Sequence, residues 1–274
     1  MEDFQILCVT MNQHDFSKIK EMNIHSNVVF ANQADTTSFE EIQFEGHIAK
    51  MITTQTRGVG RNRNLALIYA TGKICLFADD DLIYRDDLEE TILQEFNKYP
   101  EADIIIFNVE VTSKGRTQKK YSKTRKCTPW EQMPWAGFRV AMRLDVIQRA
   151  NIWYTPLFGG GCIFPSGEDS LWLYEARQKG LTLYVSKETI GSVSFETSTW
   201  FTGYDEKFFF GKGAYYKCTH SKTFYVWMIY MALRTTNMGT MSWKNKCKWM
   251  KYGKLGFEQM KSYYRMMDEL NLEK

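Results

Sequence analysis

Five apolar runs of strand length recur through the first 112 residues, with polar or amphipathic stretches between them. "FQILCVTM", "NVVFANQ", "IAKMITTQT", "KICLFA" and "ADIIIFNVEV" read as strands. "DFSKIKEMNI" reads as a short helix, and "TSFEEIQFEG" as a helical turn. "RNRNLALIYA" reads as a helix stopped by Gly72. "DDLEETILQEFNKY" reads as an amphipathic helix with Leu88, Ile92, Leu93 and Phe96 on one side. Strands that alternate with helices must bury both faces of their sheet. The pattern therefore predicts an α/β fold with a mostly parallel central sheet flanked by helices. Ligands of such sheets bind beyond the carboxyl ends of the strands.

One strand end carries an unusual load. In "GKICLFADDDLIYRDD" the apolar run Ile74–Ala78 leads straight into Asp79, Asp80 and Asp81. Three adjacent carboxylates repel one another unless a positive charge joins them. Hard divalent cations such as Mg²⁺ and Mn²⁺ take oxygen ligands, so a metal is the partner expected there. The plainer alternative is a helix cap with solvated neighbours.

"TRGVGRNRN", Thr56 to Asn64, supplies two glycines and the arginines Arg57, Arg61 and Arg63 at a helix start. Glycine-rich helix N-termini and arginines both suit phosphate. "FGGGCIFPSGEDSLWLYEARQKG" places Glu168 and Asp169 at the opening of a helix closed by Gly180. The glycines before it would let backbone approach a ligand. Residues 113–130 read as an exposed basic loop, "FRVAMRLDVIQRANI" as a helix and "LTLYVS" as a strand.

In this order the elements resemble the family 2 glycosyltransferases, which have the GT-A fold. The resemblance runs from residue 4 to about 195. It rests on "VTMNQHD", on "GVGRNRNLALIYATGKICLFADDD" with its counterpart of the DxD motif, on "GEDSLWLYEARQKG" and on "LTLYVS". The tail "STWFTGYDEKFFFGKGAYY" looks like that of bacterial members that build surface polysaccharide.

The resemblance implies roles. Thr10 and Asn12 would line the base pocket. Asn32 and Gln33 stand where acids are common, so Asp35 would contact base or ribose. Arg61 would reach the nucleotide. Asp79 and Asp80 would bind the donor, Asp80 and Asp81 a Mn²⁺ or Mg²⁺ ion, and Asp169 would be the catalytic base. Many members place a histidine after the strand that follows the "ED" helix. "IGSVSFETSTW" has none, and His220 lies farther on. Acceptor contacts are expected within residues 130–164, with Arg139 and Arg143 as candidates. The implied reaction is inverting transfer from a nucleoside-diphosphate sugar, a UDP-sugar being favoured, to a hydroxyl of a glycan or lipid-linked glycan.

Residues 1–204 are read as the catalytic domain, with 1–112 on the donor side and 113–204 on the acceptor side. Residues 205–274 are read as a basic, aromatic helical extension. Residues 1–206 carry 22 Lys/Arg against 28 Asp/Glu, whereas residues 207–265 carry 12 against 1. Such a segment usually faces a polyanion, here an anionic membrane surface rather than a specific nucleic acid; on the competing reading its aromatics pack as core and its lysines form a solvated face.

The six cysteines form no CxxC pair and read as reduced thiols. "TFYVWMIYMAL" is about half the ~20 residues a spanning helix needs. A cytoplasmic protein, peripheral at the inner face of the membrane, is expected. A nucleotidyltransferase would share the sheet and the aspartates but wants a glycine-rich loop with a lysine near the N-terminus, where this chain has "TMNQHD". A non-enzymatic polyanion reader would not need Asp79–Asp81 together with Asp169.

Overall fold

The computed structural model describes residues 3–113, 119–128, 131, 137–194 and 203–269. Much of the basic loop at 113–130, Trp130, and the stretch from Phe195 to Trp200 expected to hold a histidine in relatives lie outside the described residues. The described residues fall into two compact units. The first is built from Met1–Tyr154 and Trp172–Ser198, the second from Thr155–Leu171 and Thr199–Lys274. The chain thus divides at 154 and again at 171 and 198, and the glycine-rich stretch groups with the C-terminal helices.

In the first unit the strands are β1 (Phe4–Met11), β2 (Val28–Gln33), β3 (Ser38–Phe44), β4 (His47–Thr54), β5 (Ile74–Asp79), β6 (Leu82–Tyr84), β7 (Ile104–Val111), β8 (Arg125–Lys126), β9 (Val140–Arg143) and β10 (Leu183–Val193). Its helices are α1 (Lys18–Glu21), α2 (Val59–Ile68), α3 (Leu88–Lys98) and α4 (Leu144–Arg149). One sheet runs in the order β3-β4-β2-β1-β5-β9-β7-β10-β6, with β8 paired to β10. The block β4-β2-β1-β5 is wholly parallel, as is β7-β10. Strands β3, β6, β8 and β9 pair antiparallel, so the sheet is mixed.

Two elements differ from the sequence reading. Ser38–Phe44 is the edge strand β3, not a helical turn, and most of it is exposed. "FRVAMRLDVIQRANI" is not one helix. A short 3₁₀ turn at Gly137–Arg139 leads into β9 and then α4. Val140, Ala141 and Met142 are all buried, because β9 sits between β5 and β7 with both faces covered.

Two apolar layers cover the sheet. Phe4, Ile6, Phe30, Leu76, Ile92 and Phe96 belong to one, and Leu7, Val29, Phe77, Ile106, Trp172 and Leu173 to the other. Alternate residues of β1 and β5 feed opposite layers, as strand geometry requires. On the second face Trp172 stacks on Tyr154 with centroids 5.6 Å apart, and Phe77 meets Trp172 edge-on at 5.4 Å. Gly72 admits the chain to β5: a Cβ there would lie 2.7 Å from Gln5 Cβ, and Gln5 accepts from the Gly72 and Thr71 amides.

The helix α5 (Glu168–Gln178) follows the glycine-rich stretch. Helices α6 (Glu206–Thr219), α7 (Phe224–Arg234), α8 (Trp243–Glu258) and α9 (Tyr263–Glu269) belong to the second unit. Phe209, Tyr216, Phe224, Met228, Trp249 and Met250 form its core. Helices α6 and α8 meet backbone to backbone. A Cβ on Gly213 would collide with the Met250 carbonyl, and one on Gly253 with the Phe210 carbonyl. Lys246, fully buried, donates to the carbonyls of Thr235, which caps α7, and of Met238 in the turn beyond it.

Candidate active site

The parallel block brings the carboxyl ends of β1, β2, β4 and β5 to one side. Val9 is in register with Asp79, Met11 with Gln33, and Gln33 with Thr54. The acidic run occupies the end of β5 and the turn into β6. Thr10, almost wholly buried at the end of β1, donates its hydroxyl to Asp80. Arg63 reaches Asp79 at 2.9 Å with a guanidinium that is itself buried, and it lies over the Tyr154 ring at 5.3 Å.

Asp81 is left with the negative charge. The residue is reached by water, yet desolvation by the surrounding protein, and then the Asp79 and Asp80 carboxylates, push its carboxyl up to about 6. Cys8 and Tyr84 lie buried beside the cluster. Burial first holds both in their protonated forms; the aspartates come next for Cys8, whereas for Tyr84 they follow the influence of Cys8. Arg63 offsets Asp79, and Lys18 acts only weakly on Asp80 and Asp81, so the chain's own cations neutralise this corner only in part. Among the described residues no group of three or more His, Cys, Asp or Glu could hold a metal ion. The donor set fits a hard cation shared with another anion's oxygens, and it does not fit a cage built by the protein alone.

The other sequence candidates surround the same strand ends unequally. Asn12 follows β1 with φ +53°, and its amide donates to the Gln33 carbonyl at 2.9 Å. Asn32 donates to the Gln13 carbonyl at 2.9 Å and to Thr53 at 3.0 Å. Gln33 accepts from the Gly58 amide at 2.8 Å. Their amides are occupied in tying the loops after β1 and β4 to β2, and a carboxylate at position 32 could not make those donations. Asp35 is exposed and paired with Arg57.

Arg61 stands on the exposed face of α2 and donates to the Arg57 carbonyl at 3.0 Å. The arginine that meets the acidic run is Arg63. It shares the buried face of α2 with Val59, Asn62, Ala66 and Leu67. That i, i+3, i+4 spacing was the signal available for choosing between the two arginines. Asn62, one residue earlier, bonds the Thr10 carbonyl at 3.2 Å and the Ala31 carbonyl at 2.6 Å, and so fixes the ends of β1 and β2. Arg139 and Arg143 are structural. Arg139 is buried and donates to the Phe107 carbonyl at 2.7 Å, and Arg143 donates to the Ala102 carbonyl at 3.0 Å.

Glu168 and Asp169 are the first two residues of α5 and group with the second unit. Gly167 before them has φ +112°, and a Cβ there would crowd the Tyr215 ring at 3.2 Å. The glycine-rich stretch folds back on itself: the Gly159 amide bonds the Phe164 carbonyl and the Phe164 amide bonds the Leu157 carbonyl, each at 2.9 Å. Lys212 of α6 feels the Glu168 charge, although burial is the larger influence and lowers its pKa.

Residues 23–153 match the family model described as glycosyl transferase family 2. No curated relative matches the chain. Among solved structures, S. aureus TarS 1–349 is similar with 14% identity and a TM-score of 0.53, over 94% of this chain and 73% of that one. The same protein in complex with UDP-GlcNAc also gives 14% and 0.53, over 99% of this chain and 76% of that one. Its complex with UDP gives 14% and 0.53, over 93% and 70%. At this identity the likeness is one of fold.

Proposed function

From the glycosyl transferase family 2 match over residues 23–153 and the likeness in fold, we propose that the chain is a glycosyltransferase that carries out an inverting transfer from a nucleoside-diphosphate sugar. The donor is a UDP-sugar, and the acceptor is a hydroxyl of a glycan or lipid-linked glycan in surface-polysaccharide synthesis. The observation that carries the reading is the incompletely compensated charge at the end of β5, where Asp81 holds its proton up to about 6. A divalent cation would supply the missing positive charge and share its remaining coordination with the donor's diphosphate oxygens. That solved neighbours of the same fold hold UDP-GlcNAc and UDP favours a uridine donor.

Each residue then has a task. Thr10 and Asn12, at the end of β1, border the base and ribose together with Asp35. Arg63 pairs with Asp79 and holds it in place for the ribose. Asp80, oriented by Thr10, and Asp81 would hold Mn²⁺ or Mg²⁺, and the cation when bound offsets charge on the departing diphosphate. Arg61, exposed at the start of α2, remains available to a phosphate. Asp169 takes the proton from the acceptor hydroxyl as its oxygen attacks the anomeric carbon from the face opposite the leaving group. A general base of this kind contributes about 10²–10⁴-fold. The basic extension would keep the enzyme at an anionic lipid surface where a lipid-linked acceptor resides.

The test is a thermal-shift panel of UDP-, GDP- and dTDP-sugars with Mn²⁺, followed by transfer assays on the donor that stabilises. UDP-sugars are expected to raise the melting temperature. Asp169→Asn is expected to lose transfer while keeping the donor-induced shift. A variant with near-normal turnover would remove Asp169 from the role of base.

A further inference from the structure

Helix α7 buries one side and leaves the other bare. Phe224, Met228, Met231 and Ala232 face the core of the second unit. Tyr225, Val226, Ile229, Tyr230 and Leu233 are 41–67% exposed. Their i, i+4, i+8 and i+3, i+4, i+7 spacings make one continuous apolar stripe along the helix. Scattered surface apolar residues need no explanation, but five large ones on one face of one helix do.

Two cations touch the tyrosines of the stripe. Lys254 of α8 lies 3.4 Å from the Tyr225 hydroxyl and 5.1 Å from its ring centroid. Arg234 lies 3.4 Å from the Tyr230 hydroxyl. Lys222, Lys244, Lys248 and Lys251 are exposed on the same unit. Residues 207–265 hold a single acid, Glu258, and Lys217 pairs with it at 2.9 Å.

We infer that α7 is the element that lies on an anionic lipid bilayer, its apolar stripe among the acyl chains and its flanking cations at the headgroups. The combination decides among occupants. A second copy docked face to face would bring the cations of the two stripes together, with no acid on α7 to pair with them. Nucleic acid would engage the cations but gains nothing from Val226, Ile229 and Leu233, which cannot stack on bases. An anionic bilayer matches both halves. Tyrosines beside lysine and arginine suit its interface, where amphipathic rings and long cationic side chains reach the headgroups.

With 11 residues α7 is about 16 Å long, and no described helix is long and apolar enough to cross a membrane. The helix therefore lies in the plane of the surface. The inference rests on the lipid-surface part of the proposed function and not on its chemistry.

The test is flotation of the full chain, without donor, on vesicles of phosphatidylcholine alone and of phosphatidylcholine mixed with phosphatidylglycerol. Wild type is expected to float with the mixed vesicles only, and less so at high salt. Ile229→Glu with Leu233→Glu is expected to cut the partition roughly tenfold or more. Ile229→Gln with Leu233→Gln should cut it in the same direction, as a milder check that the fold is intact. The donor-induced thermal shift, read on the same variants, should match wild type, and its loss in wild type would sink the catalytic reading alone. Failure of wild type to float, or variants that float as wild type does, overturns the inference. So does a dimer in gel filtration that the substitutions dissolve without any vesicle binding, because a second copy then covers α7.

Discussion

Arg61 and Arg63 stand two positions apart on α2 and do unlike things. Arg61 points to water, and Arg63 is buried against Asp79 and Tyr154. Motif resemblance selects the first, whereas helical periodicity selects the second as the residue that shapes the acidic corner. Arg63→Gln removes the counter-charge from Asp79. Because Asp79 is partly exposed, the loss should be below that of a fully buried pair, about 2 kcal/mol by chemical denaturation. A second expectation concerns Asp81. Its carboxyl keeps its proton to about pH 6 when folded, but only to about pH 4 when unfolded. The folded state holds the extra proton between those values, so stability falls as pH rises through that window. Water reaches the side chain, which keeps the change small. The same proton competes with a bound cation. The thermal upshift from UDP with Mn²⁺ is expected to be full above pH 6 and to fade below it, and Asp81→Asn should flatten that profile in a pH series.

Elements were legible where burial left a period or an apolar run long enough to stand out. Helix α3 buries Leu88, Ile92 and Phe96 along one stripe, so its period shows in the sequence. β1, β5 and β7 are continuous apolar runs bounded by polar residues, as strands covered on both faces must be. β3 was not legible. Phe39 and Ile42 are three apart, which suggests a helix, but as an edge strand β3 leaves both exposed and neither reports a core. β9 was hidden for the opposite reason: four residues covered on both sides have no period to detect. In the second unit the close approach of α6 and α8 sets the clearest test. Gly253→Ala adds a methyl where the neighbour is backbone, not a side chain that could swing away. It should destabilise the chain by about 1–3 kcal/mol despite alanine's better helix propensity, seen as a lower midpoint in thermal denaturation followed by circular dichroism.

At the scale of the whole molecule charge is segregated: residues 1–206 carry a net −6 and residues 207–265 a net +11. The overall +3 describes neither part. Retention on a cation-exchange resin near pH 8 is therefore expected to come from the C-terminal helices. Lys244→Gln, Lys248→Gln and Lys251→Gln together should abolish it while leaving the UDP-induced thermal shift unchanged. That segregation was readable from the sequence, because charge can be counted along a chain. What could not be read was which cations are held internally: Lys246 is fully buried against carbonyls and presents no ammonium for a surface partner to touch. The glycine crossing has a further consequence for the chain's history. Gly213 and Gly253 each face a carbonyl of the opposite helix, so neither can drift to a larger residue unless the two helices part, and parting them exposes the other glycine's neighbour as well. The two positions are locked to each other, and any descendant that keeps these helices in contact inherits both hydrogens together.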